Sequence, residues 1–130
     1  MSPVELMENF QMLISWEDKY RYLIELGEKM KEFPESEKTD ANKVLGCQSQ
    51  VWISHRVEND RHYFNATSDA QIVRGLQAVL LTFIDGRTKQ EILAVDMHSI
   101  FKRLGLEEHL SPSRRNGFLA MTNRIVSLIF

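Results

Sequence analysis

The 130-residue chain holds one cysteine, Cys47, in the run Gly46-Cys47-Gln48-Ser49-Gln50, and no other stretch combines a nucleophile with so accommodating a backbone. A thiol attacks as its thiolate. At the ordinary value of ~8.5, roughly 3% of a thiol is ionised at pH 7, so backbone N–H groups or the ammonium of Lys43 could raise the reactive fraction severalfold. A lone cysteine is more commonly an inert small hydrophobe in a core. Here Gly46 permits a positive φ or a close backbone approach, and the polar Gln48, Ser49 and Gln50 argue against a fully buried segment. The expectation is a loop that presents Cys47 rather than packing it.

The remaining chemistry-bearing residues are less suggestive. His55, His62, His98 and His109 show no close ligand spacing and have no cysteine or carboxylate cluster beside them, so no metal is expected. One thiolate is too few to hold an iron–sulfur cluster alone. There is no glycine-rich phosphate loop and no Gly-x-Ser-x-Gly elbow. A net charge of −2, without a run of five like charges, argues against nucleic acid as a partner. No apolar stretch approaches the roughly 18 residues of a membrane span, and Met1-Ser2-Pro3-Val4-Glu5 does not resemble an export signal. A soluble, cytoplasmic protein is expected, with no internal disulfide possible.

The elements that must position Cys47 can be read from periodicity. At 43% hydrophobic and 26% charged residues, the chain has the balance of a single domain, residues 1–130. Ser2-Pro3-Val4-Glu5 reads as a helix start, with Met7, Phe10 and Ile14 on the apolar side. Ser15 opens a second helix, on which Tyr20, Leu23, Ile24, Gly27 and Met30 recur until Phe33-Pro34. Residues 34–43 are polar, aperiodic loop. Val51, Ile53, His55 and Val57 alternate as in a strand, and Glu58-Asn59-Asp60-Arg61 turns into His62-Tyr63-Phe64-Asn65. A two-stranded hairpin is marginal alone, so Lys43-Val44-Leu45 is expected to add a third strand.

Further along, Ser68-Asp69-Ala70-Gln71 reads as a capping box, with Asp69 in the first turn of a helix that buries Ile72, Val73, Leu76, Val79, Leu80, Phe83 and Ile84. Thr88 with Glu91 caps a short helix. Asp96 starts another that ends at Gly105, and Ser111-Pro112 opens the last, with Phe118, Met121, Ile125 and Ile129 inward. The predicted architecture is α+β: a small antiparallel sheet of two or three strands packed by several helices, with Cys47 on a loop at the sheet edge.

Arg114 and Arg115 fall in the first turn of the last helix, where the helix dipole disfavours positive charge by about 0.3–1 kcal/mol. They are either a solvated pair answered by a local carboxylate or a contact for a partner. Trp16 and Trp52 read as packing residues.

Gly46-Cys47-Gln48-Ser49-Gln50-Val51-Trp52 resembles the signature of the SufE family of sulfur-acceptor proteins. The resemblance extends through Trp16-Glu17-Asp18-Lys19-Tyr20-Arg21, Ile24-Glu25-Leu26-Gly27, Ser68-Asp69, Ile72-Val73-Arg74-Gly75-Leu76 and Leu110-Ser111-Pro112-Ser113-Arg114 with Gly117, in family order over nearly the whole chain. It implies a SufE/NifU-like fold and a protein that takes persulfide sulfur onto Cys47 and passes it to iron–sulfur cluster assembly or a related pathway. It is then not itself an enzyme. The implied donor is a pyridoxal-phosphate-dependent cysteine desulfurase, which keeps that cofactor, so none is expected here. Gln48-Ser49-Gln50 looks like the SufE branch of the family and Arg74-Gly75-Leu76 to Thr82 like the CsdE branch, leaving a SufS-like or a CsdA-like donor open. The implied downstream partner is an acceptor such as a cluster scaffold. Gly46, Gln48, Asp69 and Arg114 are the implied docking residues, and a homodimer is a further expectation the sequence leaves open. The family also implies an apolar pocket for the sulfur, and such shelter would raise the thiol pKa.

A different class, a free-standing thiol hydrolase or peroxidase, would require an activating base near Cys47. His55 is the nearest histidine in sequence, but strand alternation places it with Val51, Ile53 and Val57. A purely structural adaptor would tolerate loss of Cys47 altogether.

Overall fold

The computed structural model describes all residues, Met1–Phe130. Its elements are helix α1 (Pro3–Gln11), α2 (Trp16–Glu28), strand β1 (Val51–Glu58), β2 (Arg61–Ser68), α3 (Gln71–Ile84), β3 (Arg87–Thr88), α4 (Lys89–Leu93), α5 (Met97–Arg103) and α6 (Pro112–Ile129). The three strands form one antiparallel sheet in the order β1-β2-β3. The fold is α+β, as expected.

Asn59 (φ 52°) and Asp60 (φ 63°) occupy the left-handed region, which a tight two-residue hairpin turn needs to match the strands' twist. The register pairs Val51 with Ser68 and His55 with Phe64. Alternation therefore turns Val51, Ile53, Phe64 and Ala66 toward the helices, where all four are buried. The third strand is not Lys43–Leu45. That segment makes one bridge, Lys43 to Trp52, flanked by Val44 N–H donating to Val51 O at 2.8 Å and Ile53 N–H donating to Asn42 O at 2.9 Å. It cannot extend because the chain turns at Gly46 (φ +90°). Instead Arg87–Thr88 returns beside β2, where Arg61 faces Thr88 and His62 faces Arg87.

Helix α3 is the centre of the core, and the seven apolar positions read from its sequence are all buried. Each large aliphatic side chain buried this way contributes about 1.5–3 kcal/mol relative to exposure. Helix α2 crosses α3 closely: a Cβ built on Gly75 would lie 2.3 Å from Leu23 O, and one on Gly27 would lie 2.8 Å from Gly75 N. Only glycine at these two positions allows that approach. Arg74 locks the crossing by donating to Gly27 O at 3.2 Å.

The helix boundaries correct three expectations. Helix α1 ends at Gln11, its buried face is Leu6 and Phe10, and Ile14 is 95% exposed in the connection to α2. Helix α2 ends at Glu28, well before Pro34, and it buries Leu23, Leu26 and Gly27 while Tyr20 faces outward. The capping box at Ser68 does not form. Ser68 is the last residue of β2, its Oγ accepts from Ala70 N, and α3 begins without a side-chain cap. Asp69 is therefore not a first-turn carboxylate. By contrast, Thr88 and Glu91 make a full capping box, Asp96 caps α5, and Ser111 caps α6 through Arg114 N. Phe118, Met121, Ile125 and Ile129 are the buried residues of α6. No helix is long and apolar enough to cross a membrane.

Candidate functional site

Cys47 lies in the loop that enters edge strand β1, and one face of α6 carries that loop along its length. Arg124 donates to Ala41 O, Ala120 lies under Gly46, Gly117 O faces Cys47 Sγ at 3.7 Å, and Arg114 Nη1 donates to Ser49 Oγ at 2.9 Å. Positions 114, 117, 120 and 124 follow helical spacing, so a single stripe of α6 touches the loop from 41 to 49 in reverse order. The far end is tied to the junction between β2 and α3. Asp69 Oδ1 accepts from Gln50 N at 3.1 Å, and Asp69 N donates to Gln50 O at 3.3 Å.

This arrangement departs from the presented thiol read from the loop's composition and agrees with the sheltered one that the family resemblance implied. Leu45, Gly46, Gln48 and Gln50 point outward, as a presented loop requires, yet Cys47 itself turns inward and is half-buried. Beside it remains a small, partly open space of about 10 Å³, lined by Val51, Val73, Phe118 and Met121 and, from the polar side, by Gln48, Ser49, Ser113 and Arg114. That is room for about one water-sized sphere. Burial pushes the Cys47 thiol up from its ordinary value, because the thiolate would lose its solvation. The neutral S–H instead donates a weak, long hydrogen bond to Gly117 O. Lys43, considered above as an activating cation, does not enter the causes of that shift.

The four companion residues fall into place differently. Gly46, Gln48, Asp69 and Arg114 all lie at or against the cysteine loop, but Asp69 and Arg114 are engaged internally, one with the Gln50 backbone and the other with Ser49. The Arg114 charge near the start of α6 thus has a reason within the chain. Sequence reasoning missed Ser49 and Arg124 as anchors, and Val73, Phe118 and Met121 as pocket walls. The spacing of Arg114, Gly117, Ala120 and Arg124 was the available signal, hidden because α6 also carries the core stripe of Phe118, Met121 and Ile125.

His55 does not approach Cys47. It pairs diagonally across the hairpin with His62, Nε2 to Nδ1 at 2.7 Å, and the two rings stack with centroids 5.0 Å apart. Desolvation, then the neighbouring His62, pushes His55 down from its ordinary value. No group of three or more histidine, cysteine, aspartate or glutamate side chains converges to hold a metal ion. Trp16 stacks on His109, and Trp52 lies under the ammonium of Lys38, in keeping with packing roles.

A helix-covered hairpin that holds one thiol on a strapped loop over an apolar pocket defines a small α+β thiol protein without a second cysteine or a histidine base at the sulfur. Comparison with known proteins makes this specific. The chain belongs to the SufE family: residues 4–129 match its Fe–S metabolism associated domain. An uncharacterized SufE-like protein of Rhizobium meliloti (strain 1021) is 44% identical over 127 residues, covering 95% of this chain and 91% of the relative. The sulfur acceptor protein CsdE of Escherichia coli (strain K12) is 41% identical over 123 residues, covering 94% of this chain and 84% of the relative. In fold, the chain is similar to the solution structure of a hypothetical protein from Thermus thermophilus, with a TM-score of 0.79, 22% identity, and coverage of 99% and 96% of the two chains.

Proposed function

We propose that this protein accepts sulfur from a cysteine desulfurase as a persulfide on Cys47 and hands it on to a sulfur-using pathway such as iron–sulfur cluster assembly. The observation that carries the reading is the place of the sole thiol, on a tethered loop above a small apolar pocket, in a chain of the SufE family. The name of the relative CsdE, a sulfur acceptor protein, supports the same chemistry.

In the transfer, the Cys47 thiolate attacks the outer sulfur of the donor's persulfide. A new S–S bond forms at Cys47, the donor's S–S bond breaks, and the donor cysteine leaves as a thiolate, so no external oxidant is needed. The pocket favours the neutral thiol, hence the loop must leave Gly117 and expose Cys47 for ionisation and attack. Gly46 lets the loop turn, and Asp69 and Arg114 hold it until the donor arrives. Gly46 and Gln48 then form part of the face the donor covers. The absence of any histidine partner at Cys47 favours transfer over base-assisted hydrolysis. Pyridoxal phosphate belongs to the donor, and a SufS-like or a CsdA-like enzyme could supply the sulfur.

Mass spectrometry after incubation with a cysteine desulfurase, pyridoxal phosphate and free cysteine tests this directly. The protein should gain the mass of one or more sulfur atoms at Cys47 and lose it under reductant. Cys47→Ser should gain none and fail to accelerate the desulfurase, while still binding it. If Cys47→Ser stimulates turnover as well as the natural protein does, the acceptor reading is wrong.

A further inference from the structure

The flank of α6 next to the loop-carrying stripe is left open. Between α5 and α6 lies a groove of about 310 Å³, floored by Met97, Phe101 and Phe118 and walled by Leu119, which is 58% exposed. Phe101 and Phe118 stack with centroids 4.4 Å apart. Phe118 also walls the thiol pocket, so the groove and that pocket share one side chain. A large exposed leucine beside an apolar floor of this size is a surface suited to a protruding apolar side chain.

The charges at the rim specify more. Arg114 is engaged with Ser49, but Arg115, at the groove, is exposed and makes no salt bridge. The first turn of α6 contains no acidic residue to answer it. On the opposite rim Glu107 stands 3.9 Å from His98 Nε2, a contact that is ionic only when the histidine is protonated. Arg115 is thus a rim cation with no carboxylate of its own chain paired to it, and it is complementary to a carboxylate from outside.

We propose that this groove seats the sulfur donor: a segment of the desulfurase with a large apolar side chain fills the space over Phe118, and a neighbouring carboxylate pairs with Arg115. The assignment rests on Cys47 being the sulfur acceptor, because the occupant would touch Phe118, which also lines the pocket of that thiol. Pressure on Phe118 from the groove bears directly on the wall of the thiol pocket. Docking there and release of the loop are coupled through that ring.

The test measures the Kd for a purified cysteine desulfurase with the natural protein and with Leu119→Asp, Arg115→Glu, Arg115→Lys and Leu93→Asp. Leu93 is 46% exposed on α4 and lines no part of the groove, so it reports on the general effect of an added surface charge. Leu119→Asp and Arg115→Glu should each weaken binding by about tenfold or more, with unchanged thermal midpoints. Arg115→Lys and Leu93→Asp should stay within about twofold of the natural protein. Added salt should weaken the natural pair more than the Arg115→Glu pair. Unchanged binding by Leu119→Asp overturns the groove as the seat, and unchanged binding by Arg115→Glu overturns the carboxylate. If the natural protein binds but Cys47 gains no sulfur, the acceptor reading fails and the Kd series still judges the groove. If it binds neither a SufS-like nor a CsdA-like desulfurase, both fail.

Discussion

Asp69 and Cys47 set opposite ends of one balance. Asp69 holds the loop through Gln50 N, and the loop holds a thiol whose neutral form suits the pocket. Because burial raises the thiol pKa, its contribution to the closed loop is fully present below the ordinary value of ~8.5 and is lost as pH rises through the higher folded value. Alkylation of Cys47 by iodoacetamide should therefore follow a midpoint above that of an exposed cysteine. Asp69→Ala removes one acceptor worth about 1 kcal/mol, enough to raise the open population about fivefold. The alkylation rate at pH 7 should rise by about that factor, and the midpoint should move back toward the ordinary value. An unchanged rate would show that Asp69 does not restrain the loop.

At the level of elements, α2 and α3 cross too closely to admit a side chain at Gly27 or Gly75. Gly75→Ala puts a methyl carbon 2.3 Å from the backbone oxygen of Leu23, a position no side-chain rotation can relieve. Separating the two helices should cost about 1–3 kcal/mol, the usual range for overpacking, and more if α3 shifts against the sheet. Urea denaturation monitored by circular dichroism measures this directly. A change within error would mean that the helices separate without loss of packing elsewhere. Because Val73 on α3 walls the thiol pocket, the same variant should also alkylate faster at Cys47.

For the whole molecule, a single cluster of 26 buried hydrophobic residues joins residues from all six helices with β1 and β2. A domain of this size with one core is expected to unfold in one cooperative step. The two tryptophans sample separate places, Trp16 stacked on His109 before α6 and Trp52 on the hairpin beneath Lys38. Fluorescence and far-ultraviolet circular dichroism should therefore give coincident urea transitions. Two separated midpoints would instead show that the hairpin and the helical layer unfold independently.

The helices that the sequence determined are those whose signals are local. A 3.6-residue stripe from Ile72 to Ile84, the Thr88–Glu91 capping box, the Asn59-Asp60 turn and the Ser111-Pro112 start each depend on residues a few positions apart, and each appears where the pattern placed it. The loop around Cys47 was legible for the same reason, from Gly46 and its polar neighbours. What the tertiary structure alone decided are the contacts between distant segments. Periodicity could not tell whether Lys43–Leu45 or Arg87–Thr88 would complete the sheet, since strand pairing is chosen by the path of the intervening chain. Nor could it show that Asp69 would leave α3 to hold Gln50, or that Arg114 would reach Ser49 across 65 residues. The direction of the Cys47 side chain belongs with these. A presented loop and a sheltered thiol have the same local sequence, and only the face of α6 lying against residues 41–49 turns the sulfur inward.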